Sequence, residues 1–150
     1  MQASDADAVS TICMAAFTQS VADTLPVEGV ETFANIAASS AFLARMQGDN
    51  RMLVAELDGS IAGVIELKEG RHVAMLFVCP SCQQQGIGRA LLHAALDEAR
   101  VATITVSASL SSVAAYTKFG FVSSGAIAES AGLIYQPMVL ERQKAATEGQ

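Results

Sequence analysis

A chain of 150 residues, 51% of them hydrophobic and 16% charged, is long enough for one substantial core and too short for two. We therefore expect a single domain over residues 1–150. The formal charge of −6 and the pI of 4.7 argue against general nucleic-acid binding, which needs a basic surface to neutralise phosphates. The sequence has no uninterrupted apolar run of about 18 residues, and its first residues lack the basic patch of a secretory signal. We expect no membrane binding and a cytoplasmic location.

The N-terminal third predicts two helices. Ser4 precedes an acidic first turn and is expected to cap a helix that runs to about Ser20. Ahead of that helix, Met1 to Ala3 is predicted as a frayed first strand. From about Glu28 to Met46, apolar residues recur at helical spacing, which predicts one continuous second helix.

The middle of the chain predicts an antiparallel meander. The apolar runs Met52 to Leu57 and Ile61 to Leu67 flank the turn pair Asp58-Gly59, which is a strong hairpin signal. His72 to Val78 is the next apolar run and is counted as the fourth strand. The middle of this meander is expected to be buried.

The remaining residues predict helices that alternate with strands. Gly86 to about Arg100 has helical spacing, and β-branched residues from Ala102 to Ala108 predict the fifth strand. A strand-helix-strand unit of this length favours a right-handed crossover, which makes the fourth and fifth strands parallel. The prediction ends with a helix at Leu110 to Phe119, a hairpin of Phe121 to Ala126 with Leu133 to Glu141, and a frayed tail at residues 141–150. The expected fold class is α/β (α+β), with a mixed central sheet of about six to seven strands and about four helices.

The cysteines leave one alternative function open. Three cysteines are an odd count in a chain without secretory features, which argues against a disulfide framework. Cys79 and Cys82 have C-x-x-C spacing, and a thiol-redox function remains open because a helix start lowers a thiol pKa. A zinc site would need two further ligands, and His72 and His93 lack paired spacing, so we expect no metal.

The segment Gln83-Gln84-Gln85-Gly86-Ile87-Gly88 lies between a predicted strand and a predicted helix. The first N–H groups of a helix have no intrahelical partners and, together with the helix dipole, attract anions. Glycines at 86 and 88 remove side chains that would hold a diphosphate away from the backbone. The segment therefore predicts an anion site, and a simple tight turn is the alternative. A dinucleotide-binding loop is disfavoured because it would need glycine at Leu91.

Two motifs resemble signatures of the GNAT acetyltransferases. Leu76-Phe77-Val78-x-Pro80-x-x-Gln83-x-x-Gly86-Ile87-Gly88-x-Ala90 is similar to the acetyl-CoA signature of that family, whose core is Q/R-x-x-G-x-G/A. Val106-Ser107-Ala108-Ser109, followed by Tyr116-Thr117-Lys118-Phe119-Gly120-Phe121, resembles the second motif, V-N-A-S with a Y-x-K-x-G-F ending. Ser107 departs from the asparagine often found there. The resemblance spans roughly residues 50–140 and implies a GNAT fold with splayed fourth and fifth strands, and an N-acetyltransferase that uses acetyl-CoA.

The resemblance also implies the cofactor contacts. Backbone groups of Leu76, Phe77 and Val78 would pair with the pantetheine amides in the gap between the strands. The pyrophosphate would bind the loop N–H groups, with charge added by the side chain of Arg89. The full expected set is Leu76, Phe77, Val78, Gln83, Gln84, Gln85, Gly86, Ile87, Gly88, Arg89, Ser107, Ser109 and Tyr116.

Tyr116 is the expected general acid, because the departing sulfur needs a proton or a hydrogen bond. A role in packing alone is the alternative. The general base is left open. Glu66 and His72 are expected on central strands, where either could take the amine proton through water.

The expected acceptor is a primary amine of a small molecule or peptide, which attacks directly in a ternary complex. A non-catalytic acyl-CoA-binding sensor or subunit of the same fold is the alternative function. The apolar residues Leu133, Ile134 and Met138 leave a homodimer open.

Overall fold

The structure, a computed structural model, describes residues 1–142. Its helices are α1 (Ala6–Ser20), α2 (Val27–Ile36), α3 (Ser39–Arg45), α4 (Ile87–Leu96) and α5 (Val113–Phe119). Its strands are β1 (Asn50–Leu57), β2 (Ser60–Lys68), β3 (His72–Val78), β4 (Thr103–Ser109), β5 (Val122–Ser123), β6 (Ala128–Ser130) and β7 (Leu133–Glu141). Single 3₁₀ turns cover Ala3–Asp5, Ala22–Thr24, Pro80–Cys82 and Leu110–Ser112.

All these strands belong to one mixed sheet in the order β1-β2-β3-β4-β7-β5, with β6 also paired to β7. The pairs β1-β2 and β2-β3 are antiparallel, β3-β4 is parallel, and β7 is antiparallel to β4, β5 and β6. The expected α/β class, the mixed sheet and the parallel central pair are therefore confirmed. In this part of the chain there are five helices where about four were expected.

The sheet lies between two layers of helices. On one face, Leu91 and Leu92 of α4 pack with Ile65 of β2. On the other face, Phe17 of α1 and Phe42 of α3 pack with Val64. Neighbouring residues of β2 thus face opposite cores, and the strand is buried on both sides, which explains its nearly continuous apolar sequence.

A β-bulge interrupts β3. Glu66 pairs with Met75 but the next residue, Leu67, pairs with Val73, so Ala74 is the extra residue. Because a bulge changes which face the following side chains point to, Val73 and Met75 pack in different cores although they are two residues apart. The bulge therefore redirects the C-terminal half of β3.

The gap between β3 and β4 begins at this bulge. The parallel pairing consists of His72 with Thr105 and Val73 with Val106, and it ends there. Beyond Val73, the edge of β3 that faces β4 carries no paired strand within residues 1–142. This divergence leaves main-chain donors and acceptors of β3 available to another partner.

The predicted second helix is wrong, because it is broken between Ile36 and Ser39. Ala38 has an extended backbone with ψ of 145°. The break lets Arg45 turn back and donate from Nη1 to the carbonyl of Ile36 at 2.9 Å, which satisfies one of the last carbonyls of α2.

The predicted strand at Met1 to Ala3 is also wrong, since Ala3–Asp5 forms a 3₁₀ turn. The expected cap by Ser4 is wrong as well, because Asp5 is the residue before α1 and it makes no side-chain cap bond to that helix. Its carboxylate instead accepts the N–H of Gln2 at 2.7 Å, within the 3₁₀ turn. The amino group of Met1 donates to the carbonyl of Met52 at 3.2 Å, which ties the terminus to β1.

The C-terminal half differs from the prediction at several boundaries. α4 ends at Leu96 rather than Arg100, and the helix expected from Leu110 begins as a 3₁₀ turn. The expected strand Phe121 to Ala126 is reduced to Val122–Ser123, and Ala128–Ser130 is an additional strand. Of the predicted frayed tail, Glu141 lies in β7 and Arg142 donates to the carbonyls of Leu96 and Val101, whereas residues 143–150 lie outside the described residues.

Within residues 1–142, no helix combines the length and the apolar character that crossing a membrane requires.

Candidate active site

The predicted anion site lies where β3 leads into α4. Gly86 precedes the helix with a φ of +80°, a left-handed conformation that glycine adopts without strain. The first bond of the helix runs from the N–H of Ala90 to the carbonyl of Gly86 at 3.0 Å. In the described part of the chain, the N–H groups of residues 84–89 have no hydrogen-bond acceptor. The start of α4 therefore presents a row of free donors.

The same loop has room for a ligand. A Cβ placed on Gly88 would lie 3.7 Å from Cγ2 of Val78, and one on Gly86 would meet nothing within 4 Å. Gln83 turns back and donates from Nε2 to the carbonyl of Val78 at 3.3 Å. The guanidinium of Arg89 lies over the ring of Phe119, 5.5 Å from its centre, and so links α4 to α5. Free donors and open space together fit a diphosphate.

A cavity of about 200 Å³ opens beside this loop. We call it the loop cavity. It is bounded by β3, by the loop and α4, by α1 and by α5. Its lining residues are Leu76, Phe77 and Val78, Gln83 and Gly88, Ala16, Ser20 and Val21, and Ser112, Ala115, Tyr116 and Phe119.

A second cavity of about 150 Å³ lies in the gap between β3 and β4. We call it the inner cavity. Its apolar lining includes Phe17, Val21, Leu25, Phe33, Ile36 and Leu133, and its polar side chains are the hydroxyl groups of Ser107, Ser109, Ser112, Tyr116 and Tyr135. Residues common to both cavities are Val21, Leu76, Phe77, Ser112 and Tyr116. The two spaces therefore adjoin at the unpaired edge of β3.

Tyr116 stands at this junction. Its side chain is 6% exposed, and its ring makes edge-on contacts with Phe121 at 5.3 Å and Phe119 at 6.1 Å. Burial raises the pKa of Tyr116 above its ordinary value of 10, so the phenol stays protonated. Its hydroxyl has no hydrogen-bond partner within residues 1–142. The site thus holds a protonated hydroxyl that is free to donate.

A pair of serines borders Tyr116. The hydroxyl oxygens of Ser109 and Ser112 are 2.7 Å apart, and Ser112 precedes Tyr116 by one helical turn. The side chain of Ser109 makes no capping hydrogen bond to the 3₁₀ turn that follows it. Ser112 was not among the residues predicted from the sequence. Its i, i+4 spacing from Tyr116 could have identified it, because this spacing places two side chains on the same face of a helix.

Glu66 lies elsewhere. Its side chain is 1% exposed, and Oε2 accepts hydrogen bonds from Nε of Arg45 at 2.9 Å and from Nδ2 of Asn50 at 2.6 Å. Glu66 lines neither cavity. The structure therefore brings it together with α3 and β1 rather than with Tyr116.

His72 is also separate from the cavities, because it begins β3 at the end that stays paired with β4. Its Nδ1 lies 2.7 Å from Oγ1 of Thr105. Burial, assisted by the charges of Arg71 and Lys68, lowers the pKa of His72 below 6.5.

The C-x-x-C pair lies on the 3₁₀ turn that follows β3. Both thiols are half-buried and free. The hydroxyl of Ser81 lies 3.3 Å from Sγ of Cys79, and hydrogen bonding from Ser81 lowers the pKa of Cys79. Neither Cys79 nor Cys82 lines the loop cavity. Among the described residues, no cluster of three or more His, Cys, Asp and Glu side chains has the arrangement of a metal site.

Of the three residues expected at a subunit contact, Met138 is buried, whereas Leu133 and Ile134 are half-buried. Met138 is 1% exposed in the core, and Leu133 and Ile134 line the inner cavity. The prediction that Met138 contributes to a homodimer contact is therefore wrong, because this residue is not at the surface.

One family model matches the chain, and solved structures share its fold. Residues 21–142 match the family model described as an acetyltransferase (GNAT) domain. Among solved structures, a GCN5-related N-acetyltransferase (aminotransferase, class-II) from Rhodopseudomonas palustris has a TM-score of 0.82 and 26% identity, over 94% of this chain and 92% of that one. The PaiA N-acetyltransferase from Thermoplasma acidophilum, in complex with coenzyme A, has a TM-score of 0.78 and 19% identity, over 94% and 95%. The apo form of YjaB from Escherichia coli has a TM-score of 0.71 and 21% identity, over 97% and 95%. No curated protein matches the chain.

Proposed function

The chain belongs to the GNAT acetyltransferase family, and from that membership we propose that it transfers the acetyl group of acetyl-CoA to a primary amine. One observation carries the proposal. The free N–H groups at the start of α4 border a cavity that continues along the unpaired edge of β3 to the protonated hydroxyl of Tyr116. The free N–H groups, the cavity and the hydroxyl of Tyr116 therefore follow one another along the site. The diphosphate, the pantetheine arm and the thioester follow one another in the same order in acetyl-CoA.

The pyrophosphate is assigned to the backbone N–H groups of Gln84, Gln85, Gly86, Gly88 and Arg89. Two facts support this assignment: those groups lack acceptors, and no side chain fills the space above Gly86 and Gly88. Helix N-termini favour anions by about 0.3–1 kcal/mol each through the dipole, and direct N–H donation adds to this. Binding therefore needs no basic side chain in the loop.

The pantetheine arm is assigned to the edge of β3 at Leu76, Phe77 and Val78. These residues line the loop cavity and lie beyond the point where β4 stops pairing. An extended ligand with amide groups can pair with such an edge as an added strand does. The bulge at Ala74 supports the assignment because it ends the β3-β4 pairing.

The proposed chemistry is direct transfer in a ternary complex. The acceptor nitrogen attacks the thioester carbonyl carbon, the C–N bond forms and the C–S bond breaks. The leaving sulfur takes the proton of the Tyr116 hydroxyl, while the nitrogen gives up its surplus proton to water and Tyr116 is reprotonated from solvent. A backbone N–H of β3 would stabilise the negative charge on the carbonyl oxygen. Because Glu66 and His72 line neither cavity, this proposal gives neither of them the role of base.

The test measures acetyl transfer and cofactor binding separately. We expect release of free coenzyme A that depends on an added amine, together with formation of the N-acetyl product in equal amount. Gly88→Val is expected to keep the fold, because the site has room for a side chain, and to weaken coenzyme A binding at least tenfold by filling the loop cavity. Ala94→Val, at an exposed position of α4, is the control. Tight coenzyme A binding without transfer to any amine would favour the sensor alternative, and unchanged binding by Gly88→Val would contradict the assigned loop.

A further inference from the structure

The inner cavity has an aromatic wall that the proposed cofactor does not need. The rings of Phe17 and Phe33 are stacked with centres 4.0 Å apart and planes 5° apart. The ring of Phe77 meets Phe33 edge-on at 5.3 Å. These three rings come from α1, α2 and β3, so the wall forms only when both N-terminal helices are packed on the sheet. Such a surface favours an apolar or aromatic partner.

Charged side chains are missing from this cavity. None of the described residues that line it is Asp, Glu, Lys, Arg or His, although the whole chain has a net charge of −6. With one amino group at the reaction centre, a second ammonium group held inside the cavity would be buried without a counter-ion. Burial of an unpaired charge is strongly unfavourable, so the cavity disfavours diamines and polyamines.

The polar side chains that line the cavity are all hydroxyl groups. Ser109 and Ser112 line it with hydroxyl oxygens 2.7 Å apart, Tyr116 lines it as well, and we call these three hydroxyls the hydroxyl wall. This wall also adjoins the loop cavity, because Ser112 and Tyr116 line both spaces. One amino group therefore has hydrogen-bond partners next to the proposed reaction centre. The low polarity also lowers the pKa of a buried ammonium, which favours the neutral amine that attacks.

The size of the cavity limits the rest of the ligand. Its volume is about 150 Å³. An apolar protein cavity of about this volume holds one benzene-sized ring. A larger acceptor would extend beyond this space.

We infer that the acceptor is a monoamine whose single amino group is attached to one ring or to a short alkyl chain. Its amine lies against the hydroxyl wall and its apolar part lies against Phe17, Phe33 and Phe77. This inference rests on the proposed function, because it treats the inner cavity as the acceptor site of the acetyl transfer.

The test compares amines with and without a second ammonium group. Hexylamine and 1,5-diaminopentane have similar length, but a methyl group in the first replaces an ammonium group in the second. We expect kcat/KM for hexylamine and phenylethylamine to exceed that for 1,5-diaminopentane by at least about 30-fold. Calorimetry of the protein saturated with coenzyme A should give the same order of amine affinities.

A variant tests whether the cavity wall sets this preference. Leu25→Asp places a carboxylate in the apolar lining at a half-buried position and is expected to reduce the preference for hexylamine at least tenfold. Val27→Asp is the matched control, because Val27 is 73% exposed and lines neither cavity. Circular dichroism checks that both variants fold.

The outcomes separate the inference from the proposed function. If the wild-type protein acetylates 1,5-diaminopentane as well as hexylamine, the monoamine inference is overturned and the acetyltransferase function stands. If no amine is acetylated but hexylamine still binds in preference to the diamine, the proposed function fails and the site assignment stands. If neither amine binds, the inference is overturned.

Discussion

Gly29 of α2 and Gly132 of the turn before β7 touch backbone to backbone. A Cβ built on either glycine would overlap main-chain atoms of the other. One turn later on α2, Thr32 donates from Oγ1 to the carbonyl of Ala131 at 2.7 Å. This contact holds α2 against the turn before β7, and Phe33 and Leu133 from these two elements both line the inner cavity.

Gly29→Ala is expected to destabilise the protein. Alanine normally stabilises a helix by about 1 kcal/mol relative to glycine, but here the methyl group meets rigid backbone. The clash should dominate and lower the free energy of unfolding by about 1–3 kcal/mol, as overpacking does. Urea unfolding measures the change. Gly48→Ala is the control, because its nearest neighbour lies 3.7 Å away and its backbone is unstrained. A Gly29→Ala protein more stable than the wild type would contradict the contact.

Tyr116→Phe isolates the hydroxyl group. The ring contacts with Phe119 and Phe121 are kept, so we expect the free energy of unfolding to change by less than about 1 kcal/mol. Loss of an acid that protonates the leaving sulfur should lower kcat by about 10²–10⁴-fold while KM for acetyl-CoA changes little. Thr117→Val, which removes a hydroxyl that bonds only to the carbonyl of Val113, is the control. An unchanged kcat would leave Tyr116 with a packing role.

The parts of the fold that were predictable depend on local patterns. Asp58 and Gly59 have φ of 54° and 82°, as a two-residue hairpin turn requires, and the strand His72–Val78 is bounded as predicted. The break in the second helix was not predictable, because the apolar residues on both sides of it keep helical spacing and the contact of Arg45 with Glu66 joins residues 21 apart in the sequence. The inner cavity was not predictable either, since its walls come from elements that are remote in sequence and its gap depends on the bulge at Ala74.

Arg45 forms an ion pair with the buried Glu66, and removal of the arginine should destabilise the protein. The carboxylate of Glu66 is 1% exposed, and Oε1 already lacks a partner in the described residues. Arg45→Met would leave that carboxylate with Asn50 as its remaining donor, so we expect a loss of about 3–5 kcal/mol in the free energy of unfolding. Adding Glu66→Gln should recover part of the loss, because the second change removes the unpaired charge.

Glu66→Gln alone also tests a catalytic role. Since Glu66 lines neither cavity, we expect kcat to stay within about threefold of the wild type once the protein is shown to be folded. A fall of about 100-fold or more would restore Glu66 as the base.

His72 should make stability depend on pH. Its pKa is lowered in the folded protein, whereas the unfolded chain has the ordinary value of 6.5. Between these two values the unfolded state binds a proton that the folded state does not, so the free energy of unfolding falls as the pH drops through that window. His72→Gln should flatten the dependence as the pH falls below about 6.5 in urea unfolding. His93→Gln, on the exposed side of α4, is the matched histidine substitution for comparison. Parallel curves for wild type and His72→Gln would contradict this prediction.

The cysteines should differ in reactivity according to their surroundings. Burial, with a smaller contribution from the charge of Glu66, raises the pKa of Cys13 to about 12, whereas hydrogen bonds from Ser81 lower the pKa of Cys79. Because the thiolate is the reactive species, iodoacetamide should label Cys79 in the native protein, and Cys13 should be labelled only at the rate of unfolding. Mass spectrometry of the peptides measures both rates.

The paired variant Cys79→Ser/Cys82→Ser separates that reactivity from function. Neither thiol lines the loop cavity, and the backbone of the 3₁₀ turn does not depend on sulfur, so coenzyme A affinity and turnover should both remain within about twofold of the wild type. Loss of turnover that appears only in this variant, or in the wild type after mild oxidation, would give the C-x-x-C pair a part in the reaction and revive the thiol-redox alternative.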